Sequence, residues 1–357
     1  MKKNEKNPNA LKKEKNLKYL IESNQINIPQ IKELCRERYG LVNKEFRQKL
    51  WPKLLSIDKK NCKINSIDSL FKPDEKLVWR NYEDKKHFEA EQVKKDIDRT
   101  FVRYEGDFKL TKRDIEVNKI ILNRMILAIL KMNKFSYFQG FNDFCSIFLL
   151  ILGEGMGFQA ASICSKYLLN DFFEDKFEKG VIPIMNSLIL IIKQKDISLF
   201  NLISEIPPSF ALPWILTWFS HSIRNLDLTF RLFDYCISTL SPFTSLYLAS
   251  SLILIKGNEI VKMIDIIQDD LVSAVYQCIQ NINFDEELIE NMITEAEELI
   301  KFFPQKKIRQ ILKGKIKFTS PLIDNKFGLE FKVQQNNLSI KQYEKNIEKS
   351  NSYCALL

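Results

Sequence analysis

Apolar residues in this chain recur at steps of three and four over most of its length, and that spacing commits it to helices. Val117, Ile120, Ile121, Met125, Ala128, Ile129 and Met132 trace one face of an amphipathic helix, and Thr111 followed by Asp114 offers a capping box at its start. Further helical windows cover 29–38, 44–56, 86–102, 139–152, 158–170, 184–203, 209–224, 228–239, 245–256, 259–281 and 285–302. Pro207-Pro208 and Ser241-Pro242 separate neighbours among them. No series of alternating strands is evident, and 10 Gly and 11 Pro in 357 residues are too few for a turn-rich β-sandwich. The expected fold is all-α: one helical domain over 25–305, between flexible basic tails at 1–24 and 306–357.

The formal net charge of +9 suggests nucleic acid until it is located along the chain. Residues 1–18 carry +5, residues 306–357 carry +7, and the stretch between them carries −3. A base-reading surface needs Arg and aromatics interleaved on the folded part, and none stands out, so no nucleic-acid partner is expected. His87 and His221 are the only imidazoles, which excludes a multi-histidine metal site, and no metal is expected. The seven cysteines form no CxxC pair and lie mostly in apolar stretches, a pattern of reduced cytosolic thiols. The N-terminus is basic without an apolar stretch behind it, unlike a secretory signal. Phe144 to Leu152, the longest near-continuous apolar stretch, is about half the ~20 residues that a spanning helix needs.

Two short segments carry polar groups where the surrounding pattern is apolar. Tyr137-Phe138-Gln139-Gly140-Phe141-Asn142-Asp143 opens a helix whose Phe141, Phe144, Cys145, Phe148, Leu149 and Leu152 mark it as a core helix. A buried amide or carboxylate in its first turn is costly without partners. Alternatively, Asn142 and Asp143 simply complement the positive end of the helix dipole. In Val93-Lys94-Lys95-Asp96-Ile97-Asp98-Arg99-Thr100, Asp96 and Arg99 are helical neighbours. Taken alone, they form an exposed ion pair of small energetic weight.

Together these segments resemble the signature of the TBC domain, a family of GTPase-activating proteins for Rab GTPases. Its hallmarks, I-x-x-D-x-x-R and Y-x-Q-G, are similar to V-K-K-D-I-D-R at 93–99 and Y-F-Q-G-F-N-D at 137–143. The family's opening Arg followed by Leu-Trp resembles R-Q-K-L-W at 47–51, which contributes Arg47 and Trp51. Its Trp-rich helix and Arg-x-Trp-Asp element resemble W-I-L-T-W-F from Trp214 and R-L-F-D from Arg231 to Asp234, with Phe233 in place of Trp. W-P-K-L-L, F-A-L-P-W-I-L-T-W-F and the F-F-P at 302–304 are similar to the branch of TBC domain family member twenty, whose members act in the early secretory pathway.

The resemblance implies a function and a division of labour. The chain would not be an enzyme by itself but a GTPase activator that lends catalytic residues to a Rab in its GTP form, and so regulates vesicle traffic. It would need no cofactor of its own and would act on Rab-bound GTP and Mg²⁺. Arg99 would be an arginine finger stabilising charge on the phosphoryl oxygens, and Gln139 a glutamine finger orienting the attacking water. Asp96 would hold Arg99, Asp143 would pin the loop of Gln139, Tyr137 would pack beneath that loop, and Gly140 would let the Rab approach. The alternative is a silent TBC-fold module that binds a Rab without stimulating it, and the presence of both Arg99 and Gln139 argues against it.

The sequence closes on Cys354-Ala355-Leu356-Leu357, which reads as a prenylation box, with Leu favouring geranylgeranyl. A lipid at Cys354 backed by the basic tail would hold the protein on a cytosolic membrane surface. The expected location is cytoplasmic and peripheral on endomembranes, endoplasmic reticulum or Golgi by family resemblance.

Overall fold

The protein is described by a computed structural model covering residues 7–23, 26–57, 88–101, 110–173, 177–267, 270–317 and 320–323. Fifteen α-helices and no strand occur among the described residues. They are α1 (Pro8–Glu22), α2 (Ile28–Arg36), α3 (Lys44–Leu54), α4 (Ala90–Thr100), α5 (Lys112–Asn133), α6 (Phe141–Leu168), α7 (Phe177–Lys195) and α8 (Ile197–Ile203). After a 3₁₀ turn at Pro208–Ala211 follow α9 (Leu212–Thr217), α10 (Leu226–Thr239), α11 (Thr244–Ile255), α12 (Gly257–Ile267), α13 (Leu271–Gln280), α14 (Glu286–Phe302) and α15 (Gln305–Leu312).

The apolar α6 supplies much of the core, and α3, α4, α5 and α9 pack against it. In α6, Phe141, Phe144 and Phe148 are fully buried. Phe148 meets Trp51 of α3 edge-on at 5.9 Å, and Phe144 and Phe148 both touch Phe233 of α10, at 5.6 and 5.5 Å. The windows 139–152 and 158–170 are two helical segments within the α6 range, divided by a kink at Gly153, whose φ of 75° and ψ of −175° are not helical. Taken across the kink, α6 is long and apolar enough to cross a membrane by length and composition, but most of its residues are buried within the fold, which marks core helix. The Thr111–Asp114 box at the start of α5 forms in both directions, at 3.1 Å each way.

Several windows divide more finely than the periodicity suggests. The 184–203 window is two helices with Asp196 capping the second, and 259–281 separates into α12 and α13 with Asp270 capping the latter. The 209–224 window holds the end of the 3₁₀ turn and the six-residue α9, followed by turns.

Ordered helices also extend beyond the expected bounds of 25 and 305. Within the stretch expected as an N-terminal tail, α1 buries Leu17, and Lys13 donates to the Leu34 and Arg38 carbonyls at 2.8 Å, at the C-terminal end of α2. Burial pushes the Lys13 ammonium down from its ordinary pKa, while Glu37 at 3.3 Å works in the opposite sense. At the other end α15 buries Ile308 and Leu312, and Arg309 donates to the Pro321 and Leu322 carbonyls. Lysine-rich composition concealed both helices, since a few well-spaced apolar residues suffice to dock a polar helix.

Candidate functional site

Most of the residues singled out by the sequence fall into two clusters, both built around a buried carboxylate. The first joins the last turn of α4 to the turn that opens α6. Val93, Asp96, Ile97 and Thr100 share the inward face of α4, so Asp96 is carried into the interior by the helical repeat. Its carboxylate, 3% exposed, accepts from Arg99 Nη2 at 2.9 Å and Gln92 Nε2 at 3.1 Å, and from the Tyr137 hydroxyl at 3.0 Å. Those donors offset its desolvation. Burial, with the Asp96 charge adding to it, pushes the Tyr137 phenol well above its ordinary pKa, so the hydroxyl remains a donor.

Arg99 is used at one corner only. Its side chain is 71% exposed, and its single bond among the described residues is the one to Asp96. A guanidinium carries five donors, so most of its hydrogen-bonding capacity faces outward. Gln139 is exposed between buried Phe138 and buried Gly140 and makes no side-chain hydrogen bond among the described residues. The Phe138 ring packs on Phe173 at 4.9 Å and Phe141 at 5.4 Å, anchoring the segment on the N-terminal side of the glutamine.

Asn142 and Asp143 do more than complement a helix dipole. Asn142 Nδ2 donates to Thr100 Oγ1 at 2.7 Å, and that hydroxyl donates to the Asp96 carbonyl at 3.1 Å. The same amide nitrogen lies 3.2 Å from Asp143 Oδ1, while Asp143 Oδ2 meets His221 Nδ1 at 2.7 Å. The Tyr137 N–H donates to Glu89 Oε2 at 2.7 Å, tying the same segment to the start of α4. Gly140 has a φ of 100°, and a Cβ there would stand 2.8 Å from Thr217 Cγ2. Internal packing and backbone conformation therefore both call for glycine at this position, independently of any approaching partner.

The second cluster is a closed latch between α3, α10 and the loop after α2. Asp234, fully buried, accepts from Arg47 Nη2 at 2.9 Å, Trp51 Nε1 at 2.8 Å and the Leu41 N–H at 3.0 Å. Arg231 pairs in parallel with Glu290 of α14 at 2.7 and 2.8 Å and donates to the carbonyls of Cys35, Arg36 and Glu37. Gly40 passes so close that a Cβ would lie 2.6 Å from Asp234 Oδ2. Trp214 is buried as well, stacked on Phe219 at 5.7 Å. Arg47, Trp51, Trp214, Arg231 and Asp234 are thus interior framework residues. Cys354 lies outside the described residues, and no metal-binding group of side chains occurs among the described ones.

Glu290, Thr100, Glu89 and the imidazole of His221 complete these clusters without having been picked out beforehand. Thr100 follows Asp96 at i+4 and was legible in principle, whereas Glu290 lies 59 residues from Arg231 and no local pattern marks it.

Residues 44–263 match the Rab-GTPase-TBC domain family, more than half of the chain, and the protein belongs to that family. The human protein named TBC1 domain family member 20 is 25% identical over 301 residues, covering 83% of this chain and 69% of its own. The GTPase-activating protein gyp10 of Schizosaccharomyces pombe is 24% identical over 237 residues, covering 66% of this chain and 59% of its own. The chain spans about two thirds of the length of the member 20 relatives, 66% of the bovine one. Among solved structures, the Ypt/Rab-GAP domain of Gyp1p superposes with a TM-score of 0.62 at 12% identity, over 82% of this chain and 99% of that one. The Chlamydomonas flagellar RabGAP TBC domain gives 0.55 at 14% identity, over 81% and 95%. The fold is the all-helical TBC fold.

Proposed function

We propose that the protein is a GTPase-activating protein for a Rab-family GTPase, acting in trans with Arg99 as arginine finger and Gln139 as glutamine finger. One observation carries this reading. Two exposed, chemically apt side chains stand on two segments that a buried carboxylate–phenol bond, Asp96 to Tyr137, ties together. Relatives of this chain are named as GTPase-activating proteins or as TBC domain family members.

The chemistry follows from the partner's substrate. In phosphoryl transfer, charge spreads over the oxygens of the transferring group, so help comes as fixed cations and as placement of the attacking water. Arg99 suits the first task because its planar fork keeps its charge and leaves donors free after one corner has bonded Asp96. Gln139 suits the second because an amide can both accept from a water and donate to an oxygen. GTP and Mg²⁺ come with the Rab, and the chain contributes side chains alone.

An arginine finger is worth about 10³–10⁵ in rate, or about 4–7 kcal/mol of barrier. Single-turnover hydrolysis by a panel of GTP-loaded Rabs is the test. Arg99→Ala and Gln139→Ala should each remove nearly all the stimulation of whichever Rab responds, with the helical fold kept. A variant that stimulates like its parent would sink that assignment, and a panel without any responsive Rab would favour the silent binding module.

The reading extends to location, on the cytosolic face of endomembranes. Exposed lysines at 306, 307, 313, 315 and 317, with no acidic residue between 299 and 323, support contact with an anionic leaflet. Flotation with anionic against neutral vesicles checks it.

A further inference from the structure

We infer that His221 is a positioning residue for Gln139, acting through Asp143 from the turn that follows α9. The inference rests on the reading of Gln139 given above and names the device that holds its loop.

The turn is an improbable path for a chain to follow. Trp218 and Phe219 are consecutive residues in the left-handed region, at φ of 49° and 68°, and neither is glycine. Such conformations persist only where the surroundings over-determine them, and they gather at sites where side chains must be aimed. Here ring packing does so. Trp218 meets Phe144 of α6 at 5.1 Å and Phe233 at 5.2 Å, both edge-on, while Phe219 stacks on Trp214 at 5.7 Å. The turn is therefore locked onto the first turn of α6 by its own aromatics.

What the strained turn delivers is an imidazole. The His221 N–H donates to Thr217 Oγ1 at 3.1 Å, and its ring nitrogen Nδ1 stands 2.7 Å from Asp143 Oδ2. Asp143 is 2% exposed, whereas the His221 side chain is 40% exposed, so the imidazole closes the outer end of the polar network. The network runs inward from Asp143 through Asn142 and Thr100 to the main chain of Asp96, three residues before Arg99.

The same turn bounds the loop on its other side. A Cβ built on Gly140 would meet Thr217 at 2.8 Å and His221 Nδ1 at 4.0 Å, so the residue next to Gln139 rests against this surface. The Asp143 N–H in turn donates to the Gly140 carbonyl at 3.0 Å. Gln139 thus follows a ring-anchored Phe138 and precedes a glycine held between the α9 turn and a histidine-pinned aspartate.

The function requires one donor at the Nδ1 position, which Asn can imitate and Gln, one bond longer, cannot. Hydrolysis of GTP by a Rab that responds to the parent protein is followed with His221→Ala, His221→Asn and His221→Gln. His221→Ala and His221→Gln should lower kcat about tenfold with KM within about twofold, the mark of a misplaced group and not of lost binding, and His221→Asn should recover most of the loss. Hydrogen exchange of amides 139–144, measured on the protein alone, should quicken in the Ala and Gln variants and return to parental protection in the Asn variant. Unchanged kcat in His221→Ala, equal losses in the Asn and Gln variants, or a loss confined to KM would overturn the role. If no Rab responds to the parent, it is the activator reading that fails. The exchange data then still decide whether His221 holds the loop.

Discussion

Two arginine–carboxylate pairs in this molecule use the same chemistry to opposite ends. In the latch, Arg47 and Asp234 are both buried, and a tryptophan N–H and a backbone N–H join them. At the site, Asp96 is equally buried but Arg99 is mostly exposed. A pair buried on both sides satisfies itself and leaves nothing for a partner, so it can only organise the fold. A pair buried on one side fixes the root of a cation while its remaining donors stay outside. Whether the arginine is buried along with its carboxylate separates the framework pair from the one proposed to serve a partner.

Substitutions can break that contrast or sharpen it. The largest expected effect is on rate: Arg99→Ala should cost about 10³-fold or more in stimulated hydrolysis. The same change should lower unfolding free energy by about 1 kcal/mol or less, since the pair is exposed on the arginine side. Urea unfolding and single-turnover assays on one preparation test both halves of the statement. If stability falls as far as activity, Arg99 belongs with the framework.

Next in size, Asp234→Ala should destabilise the fold by about 3–5 kcal/mol, because it leaves Arg47 buried without its carboxylate. Denaturant titration checks this, and a change below about 1 kcal/mol would mean that the latch relaxes or admits water. Tyr137→Phe, which removes the hydroxyl from Asp96, should cost about 1.5–3 kcal/mol, the range for hydrogen bonds to charged groups. It should also slow hydrolysis, which the latch substitution should not do once corrected for the folded fraction.

The smallest of the set is Gly140→Ala. The φ of 100° and the Thr217 methyl together predict about 1–3 kcal/mol of strain. Part of that strain should relax by shifting the Gln139 loop and so appear as slower hydrolysis. A loss of stability with full activity would show that the loop position is less demanding than the packing suggests.

Legibility in the sequence followed the range of each interaction. The α5 capping box, the Asp96–Arg99 pair and the core character of α6 were readable because each is complete within a few residues of one helix. The breaks within 184–203 and 259–281 were harder, since apolar spacing continues on both sides while the chain changes direction. The helices α1 and α15 were hidden by lysine-rich composition, which reads as solvated chain until a partner surface for Leu17, Ile308 and Leu312 exists.

By itself, then, the sequence determined the helical class, the core character of the start of α6 and the two motifs that carry Arg99 and Gln139, all of them matters of local periodicity and residue type. Tertiary structure alone decided that Asp234 serves the interior, that Gly140 is required by Thr217, and that His221 meets Asp143 across 78 residues. The physical reason is burial. A carboxylate removed from water must find donors wherever the fold brings them, and no short-range pattern records which distant side chains those will be.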